Sequence, residues 1–261
     1  MPYFDCTPTM TDTQVVEFCR RGYLLFEGVV PDEINQRAVA YCDENNGAAP
    51  GHEDWYVDNV TLNPQVVGSI RSLLGKNFRY VRGGGNHRVQ CPSPAQNWHR
   101  DGGSKFGPQL DCLQVFYYPQ DTPVEMGPTE VLPGSQFLFS LQASMGHYGK
   151  IRGTVLTTAP AGSIFLTVYS IWHRRSASTG HGIRNLMKYW YVRTVPPERD
   201  WVREPDFDLK QTFHTPPLPG LTLGREHHRT INDAAEMIYW LCGQHDVYRR
   251  LATEHSLPIY F

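Results

Sequence analysis

The sequence predicts a mainly β protein, an antiparallel sandwich or barrel that also carries a layer of helices. The chain has 261 residues, of which 40% are hydrophobic and 12% aromatic, so it can bury a substantial core. From Phe78 onward, short segments rich in β-branched and aromatic residues alternate with Pro and Gly turns, a pattern typical of strands. These segments do not alternate regularly with helical patterns, which argues against a parallel α/β sheet.

The helical layer is predicted in residues 1–77. Thr11 and Asn63 can each cap a helix through a side-chain oxygen, and Pro31 suits the first turn of another. Gly22 and Gly75 mark where two of these helices end. The predicted helices cover about 12–21, 32–45 and 64–74, and a short buried strand is expected at 23–26.

The β core is predicted in residues 78–195. Its expected strands are Phe78–Arg82, Asn86–Gln90, Leu110–Tyr118, Glu130–Leu132, Gly153–Thr158, Ser163–Tyr169 and Leu186–Val195. Residues 196–261 are expected to begin as a proline-rich irregular segment and to end in helices near 232–241 and 245–254. The chain shows no repeat and no linker, so residues 1–261 are predicted to form a single domain.

Composition argues against several classes of protein. The formal net charge is -2 and no basic stripe is visible, so a nucleic-acid partner is not expected. No apolar run approaches the roughly 18 residues of a membrane span, and the N-terminus does not resemble a signal peptide. We therefore expect a cytoplasmic protein without a membrane partner. The 6 cysteines have no metal-type spacing and are expected to be free thiols.

Two histidines and an aspartate form the strongest chemical signal. His99 and Asp101 are two residues apart, and on an extended strand such residues point to the same face. His173 follows a second apolar strand, which antiparallel pairing could bring beside them. Two His and one carboxylate form the facial triad of non-heme Fe(II) oxygenases, which leaves metal positions open. Arg184, 11 residues after His173, offers a two-pronged donor for a carboxylate.

Each of these residues has a more ordinary explanation when it is taken alone. A His-x-Asp triplet is usually a surface or structural pair, and a single histidine on an apolar strand is usually a core residue. An isolated arginine is most often exposed or in a salt bridge. The ordered combination of His99, Asp101, His173 and Arg184 in a β context favours the metal site over these alternatives.

The ordered motifs resemble the phytanoyl-CoA dioxygenase family of Fe(II)- and 2-oxoglutarate-dependent oxygenases. The resemblance rests on Trp98-His99-Arg100-Asp101, on the segment Met126–Gln136, and on His173 followed by Arg184. The middle segment is similar to the family's Asn-Gly-Pro-Leu…Pro-Gly-Ser-His turn, although its first and last residues differ. The resemblance covers about residues 10–195, and the last 65 or so residues match no motif of the family.

This resemblance implies a fold, a cofactor set and roles for particular residues. The core should be a double-stranded β-helix (jelly-roll, cupin-like), supported by the helical layer. Fe(II) would be held by His99, Asp101 and His173, and 2-oxoglutarate would be the cosubstrate for O₂. Further residues implied in the cosubstrate or substrate pocket are Arg184, which would hold the distal carboxylate, Gln114 and Thr129 beside the cosubstrate, and Asn86, Arg88, Gln90 and Arg175.

The implied activity is hydroxylation of a small organic molecule, and secondary metabolism is one setting for such an enzyme. Family relatives that halogenate lack the carboxylate ligand, so Asp101 favours hydroxylation. Two alternatives stay open. The same iron chemistry could end in desaturation, epimerisation, cyclisation or endoperoxidation, or the chain could be a non-catalytic cupin-like binding module. The sequence predicts neither the substrate nor the oligomeric state.

Overall fold

The computed structural model describes residues 1–102, 106–138, 145–213 and 233–254. Parts of the predicted C-terminal region, 214–232 and 255–261, lie outside these residues. The helices are α1 Asp12–Arg21, α2 Asp32–Glu44, α3 Asp54–Tyr56 with a π-helical turn Val57–Thr61, α4 Val67–Leu74, α5 233–241 and α6 His245–Glu254. The strands are β1 Tyr3–Phe4, β2 Tyr23–Phe26, β3 Phe78–Tyr80, β4 Gly85–Asn86, β5 Val89–Ser93, β6 Cys112–Tyr118, β7 Thr129–Val131, β8 Val155–Leu156, β9 Ser163–Val168, β10 His173–Arg175, β11 Ser178–Arg184 and β12 Met187–Val192.

The strands form one large antiparallel sheet and two smaller ones. The large sheet has the order β1-β3-β12-β6-β9-β2, and β4 also pairs with β12. The smaller sheets have the orders β10-β7-β8 and β11-β5. Side chains from β6, β7 and β9, among them Phe116, Val131 and Phe165, form one apolar cluster. This arrangement of antiparallel sheets and helices confirms the predicted fold class, a mainly β core of double-stranded β-helix type with supporting helices.

The other face of the large sheet packs against the helices. Successive strand residues point to opposite faces, and on β6 Val115 and Tyr117 belong to the main core whereas Phe116 belongs to the second cluster. The main core also takes in residues of α1 and α4, such as Phe18 and Leu73. One face of the large sheet therefore packs with the helices in the main core. The other face carries the second apolar cluster and is the one available to a functional site.

The helix caps agree with the sequence pattern in part. The Thr11 side chain accepts a hydrogen bond from the Gln14 backbone N–H, and the Gln14 side-chain oxygen accepts one from the Thr11 backbone N–H, which completes a capping box. Gly22 ends α1 with a φ of 77°, which glycine adopts without strain. Asn63 is not the cap of α4, because the helix begins three residues later than a cap at Asn63 requires, with Val66 at the cap position. Its side chain instead accepts a hydrogen bond from the Gln65 N–H, 2.9 Å away.

Three strands, β1, β10 and β11, escaped the sequence prediction, and one predicted strand is divided in two. β10 and β11 were not expected, because Ser-Thr-Gly-His-Gly-Ile-Arg has no apolar alternation. Arg184 therefore ends a strand of its own, paired with Val89 of β5. The predicted strand Asn86–Gln90 is divided between β4, in the large sheet, and β5, in a small one.

The C-terminal helices contribute to the main core through residues such as Ile238 and Tyr248. The 6 cysteines all lie in the described ranges and are free thiols. Among the described helices, none is long and apolar enough to cross a bilayer.

Candidate metal centre

The backbone brings the two candidate histidine ligands together. His99 and His173 form an antiparallel bridge in which each N–H donates to the other's carbonyl over 3.0 Å. Asp101 follows two residues after His99, and its Oδ1 lies 3.9 Å from Nε2 of His99 and 3.7 Å from Nε2 of His173. The ligand atoms of the three residues all lie within 4.8 Å of one another. The structure therefore assembles the predicted His-Asp-His triad.

Hydrogen bonds fix which nitrogen each histidine can offer to a metal. Nδ1 of His99 lies 2.9 Å from the carbonyl of Asn97, and Nδ1 of His173 lies 3.0 Å from that of Ile171. A carbonyl only accepts hydrogen bonds, so we assign the proton of each ring to Nδ1. Nε2 then keeps its lone pair toward Asp101. Such outer partners are typical of metal-ligating histidines.

The outer oxygen of Asp101 is held by two side chains. Oδ2 accepts hydrogen bonds from the Gln114 amide and from Lys188 Nζ, 3.0 Å away, so Oδ1 is the atom left for a metal. Burial alone would raise the pKa of Asp101, but His173, Lys188 and the Gln114 amide together lower it to about 2. The carboxylate is therefore ionised at neutral pH, as a metal ligand must be.

Lys188 is the site residue that the sequence analysis missed. It lies on β12, its side chain is 5% exposed, and Nζ is 3.2 Å from Nε2 of His173. Burial lowers the pKa of Lys188 below its ordinary value, while Asp101 acts in the opposite direction. A lysine inside the otherwise apolar and aromatic run of residues 186–192 was the signal available, because a buried lysine is rare unless it is paired.

A cavity extends from the two histidines of the triad to Arg184. Arg184 is 1% exposed and its Nη2 donates to Oγ1 of Thr129 over 3.3 Å. Its Nε is buried and has no hydrogen-bond partner among the described residues. The residues that line the cavity are His87, Val89, Gln96, His99, Thr129, His173, Arg175, Arg184, Leu186 and Lys188.

The cavity contains several of the predicted pocket residues. Thr129, Arg175 and Arg184 line it, while Gln114 lies beside it and holds Asp101. Whether these side chains bind a cosubstrate stays a prediction. The donor set fits a divalent metal, and the orphaned N–H of Arg184 fits a carboxylate.

Three other predicted pocket residues hydrogen-bond to parts of the protein outside the cavity lining, and their contact with a cosubstrate or substrate stays a prediction. Arg88 Nη2 donates to Asp43 over 2.6 Å, and the Asn86 amide donates to the Gly47 carbonyl over 3.1 Å. Gln90 donates to the Gly182 carbonyl over 3.1 Å. None of the three lines the cavity; the intervening residues of this segment, His87 and Val89, do so instead.

No model of a protein family matches the chain, and no curated protein matches it either. Solved structures, in contrast, do match the chain. HygX from Streptomyces hygroscopicus, with nickel and 2-oxoglutarate bound, is 15% identical with a TM-score of 0.59, and the match covers 74% of this chain and 90% of HygX.

Two structures from nogalamycin biosynthesis are also similar. The non-heme α-ketoglutarate-dependent carbocyclase SnoK is 18% identical with a TM-score of 0.57, over 83% of this chain and 98% of SnoK. The epimerase SnoN is 16% identical with a TM-score of 0.54, over 69% of this chain and 81% of SnoN. The chain therefore shares the fold of these iron and 2-oxoglutarate enzymes, and it carries a candidate His-Asp-His triad within that fold.

Proposed function

We propose that this chain is a non-heme Fe(II)- and 2-oxoglutarate-dependent oxygenase of the phytanoyl-CoA dioxygenase type, which hydroxylates a small organic molecule. The observation that carries the proposal is a cavity lined at one end by His99 and His173, which form a triad with Asp101, and at the other end by the buried Arg184. A 2-oxo acid that chelates a metal at one end and carries a carboxylate at the other matches both ends of this cavity.

Each residue of the cavity has a defined task in this reaction. His99, Asp101 and His173 would hold Fe(II), which when bound supplies the activation of O₂. Gln114 and Lys188 keep Oδ2 of Asp101 occupied, so that Oδ1 faces the metal. Arg184 would orient 2-oxoglutarate by its distal carboxylate, with Thr129 fixing the guanidinium. His173, Arg184 and Lys188 are buried, and a low local dielectric constant strengthens charged contacts in this part of the cavity.

The structural neighbours leave a second outcome open for the same site. SnoN is described as an epimerase and SnoK as a carbocyclase, and a HygX structure contains hygromycin B, so this fold accommodates different reactions and small-molecule ligands. The mass of the product separates the outcomes. Hydroxylation adds an oxygen atom, cyclisation removes two hydrogens, and epimerisation leaves the mass unchanged.

The proposal is tested by turnover of 2-oxoglutarate in the purified protein supplied with Fe(II) and ascorbate. We expect succinate to form with the wild type and to be lost in His99→Ala and Asp101→Ala. His181→Ala, which changes an exposed histidine of β11, is the matched control and should retain turnover. Succinate formation that survives iron removal would contradict the proposal, and failure of the metal-loaded wild type to bind 2-oxoglutarate would favour the non-catalytic binding module.

A further inference from the structure

Arg175 brings a second arginine to the end of the cavity that contains Arg184. Arg175 lies opposite Thr129 in the β10–β7 pair, so these two side chains share one face of the sheet. The adjacent pair, Arg174 and Glu130, points to the other face and forms an ion pair of 2.7 Å there. Thr129 in turn accepts a hydrogen bond from Arg184. Thr129 is therefore the cross-strand neighbour of Arg175 and the hydrogen-bond partner of Arg184, and all three residues line the same cavity.

Both arginines keep donors that the protein does not use. Nε and Nη1 of Arg175, and Nε of Arg184, are buried without a hydrogen-bond partner among the described residues. None of the residues that line the cavity is acidic, and Asp101 lies at the opposite, metal end. Two neighbouring guanidinium groups with unused buried donors are unfavourable unless an anion accepts from them. The arrangement therefore predicts an anion at this end of the cavity.

We propose that Arg175 and Arg184 together clamp the distal carboxylate of the cosubstrate, which makes Arg175 a specificity-determining residue for a dicarboxylate 2-oxo acid. This inference rests on the function proposed above. Arg184 alone offers a carboxylate one pair of N–H donors. A second guanidinium lets each carboxylate oxygen accept hydrogen bonds from two arginines. A 2-oxo acid without the distal carboxylate would gain nothing from Arg175.

The test compares two ligands on the same protein. 2-Oxoglutarate and 2-oxobutyrate share the metal-chelating 2-oxo acid group, but only the former has a distal carboxylate. Their affinities for the Mn(II)-loaded protein are measured by calorimetry, which needs neither turnover nor the unknown substrate. Arg175→Gln should weaken 2-oxoglutarate binding by roughly 10- to 100-fold, the range of a hydrogen bond to a charged group, and leave 2-oxobutyrate binding unchanged.

Two further variants make the comparison specific. Arg175→Lys retains the charge without the fork and should fall between the wild type and Arg175→Gln. Arg21→Gln removes an arginine on α1 whose side chain is 63% exposed, and it should bind both acids as the wild type does. Thermal unfolding of each variant shows that it folds.

The remaining outcomes overturn the inference in distinguishable ways. If Arg175→Gln weakens both acids equally, Arg175 supports the whole site rather than the distal carboxylate. If it leaves 2-oxoglutarate binding unchanged, the anion that Arg175 binds is part of another ligand, such as an acidic substrate. If the wild-type protein loaded with metal binds neither acid, the proposed function itself fails.

Discussion

The buried ammonium of Lys188 should oppose the binding of a divalent metal, so Lys188→Met should tighten it. Nζ lies 3.0 Å from Oδ2 of Asp101 and 3.2 Å from Nε2 of His173. Methionine is unbranched, apolar and adaptable, so this substitution removes the charge while filling much of the same space. The other hydrogen bond to Oδ2, from Gln114, remains.

The size of the effect follows from the position of Nζ. A metal bound to His173 stands about 2.1 Å from Nε2. Because Nζ is 3.2 Å from the same atom, the metal and the ammonium are at most about 5.3 Å apart. At that separation they repel each other by about 1.6 kcal/mol at the dielectric constant of water and by about 6 kcal/mol at an effective value of 20. Removing the charge should therefore lower the Kd for the metal at least about tenfold.

Calorimetric titration of the metal-free protein with Mn(II) measures this change. Lys76→Met replaces an exposed lysine that lies outside the cavity lining, and it should bind Mn(II) as the wild type does. The reasoning also predicts that Lys188→Met binds the 2-oxoglutarate dianion more weakly, because the loaded site loses one positive charge. A variant that binds Mn(II) tenfold more weakly than the wild type would refute the argument and assign Lys188 mainly to the orientation of Asp101.

Two further predictions concern stability. Burial, and after it the charge of Lys188, lowers the pKa of His173 in the folded protein. The pKa of a histidine in an unfolded chain is about 6.5. Below that pH the unfolded chain therefore binds a proton at His173 that the folded protein does not bind, which destabilises the fold. Between about pH 7.5 and 5.5 the metal-free protein should therefore lose about 1.4 kcal/mol of unfolding free energy through His173, which urea titrations measure. A loss of the same size in His173→Gln would show that His173 is not its source. Arg174→Met leaves the Glu130 carboxylate buried without its ion-pair partner and should cost about 3–5 kcal/mol of unfolding free energy. Adding Glu130→Gln to this variant should recover part of the lost unfolding free energy. A loss below about 1 kcal/mol in Arg174→Met alone would contradict this interpretation.

The metal triad was predictable because it depends on short-range geometry and on a simple order of elements. His99 and Asp101 share a face through their spacing alone, and His173 follows β9, a mainly apolar strand that is buried throughout. Arg184 was also identified, although not the strand that carries it. β11 contains two glycines and no apolar alternation, and it is specified by pairing with β5. Such pairing depends on tertiary contacts that a single sequence does not display.

The identity of the cavity-lining residues depended on the register of one segment. The family resemblance implied Asn86, Arg88 and Gln90 in the pocket, and their spacing of two residues would put them on one face of a single strand. The chain instead leaves the large sheet after β4 and joins a small sheet at β5, and His87 and Val89 face the cavity. Because the side-chain period of a strand is two, an error of one residue reverses every assignment.

Strand β12 shows why the site and the core are difficult to separate in this fold. Tyr189 and Tyr191 pack in the main core on one face, while Lys188 reaches Asp101 and His173 from the other. A slip of one residue would place the lysine in the core and a tyrosine beside the triad. The aromatic contacts of Tyr189 with Tyr56 and of Tyr191 with Phe78 therefore hold the register that sets the position of the ammonium. Stability of the core and electrostatics of the metal site are two consequences of the same strand register.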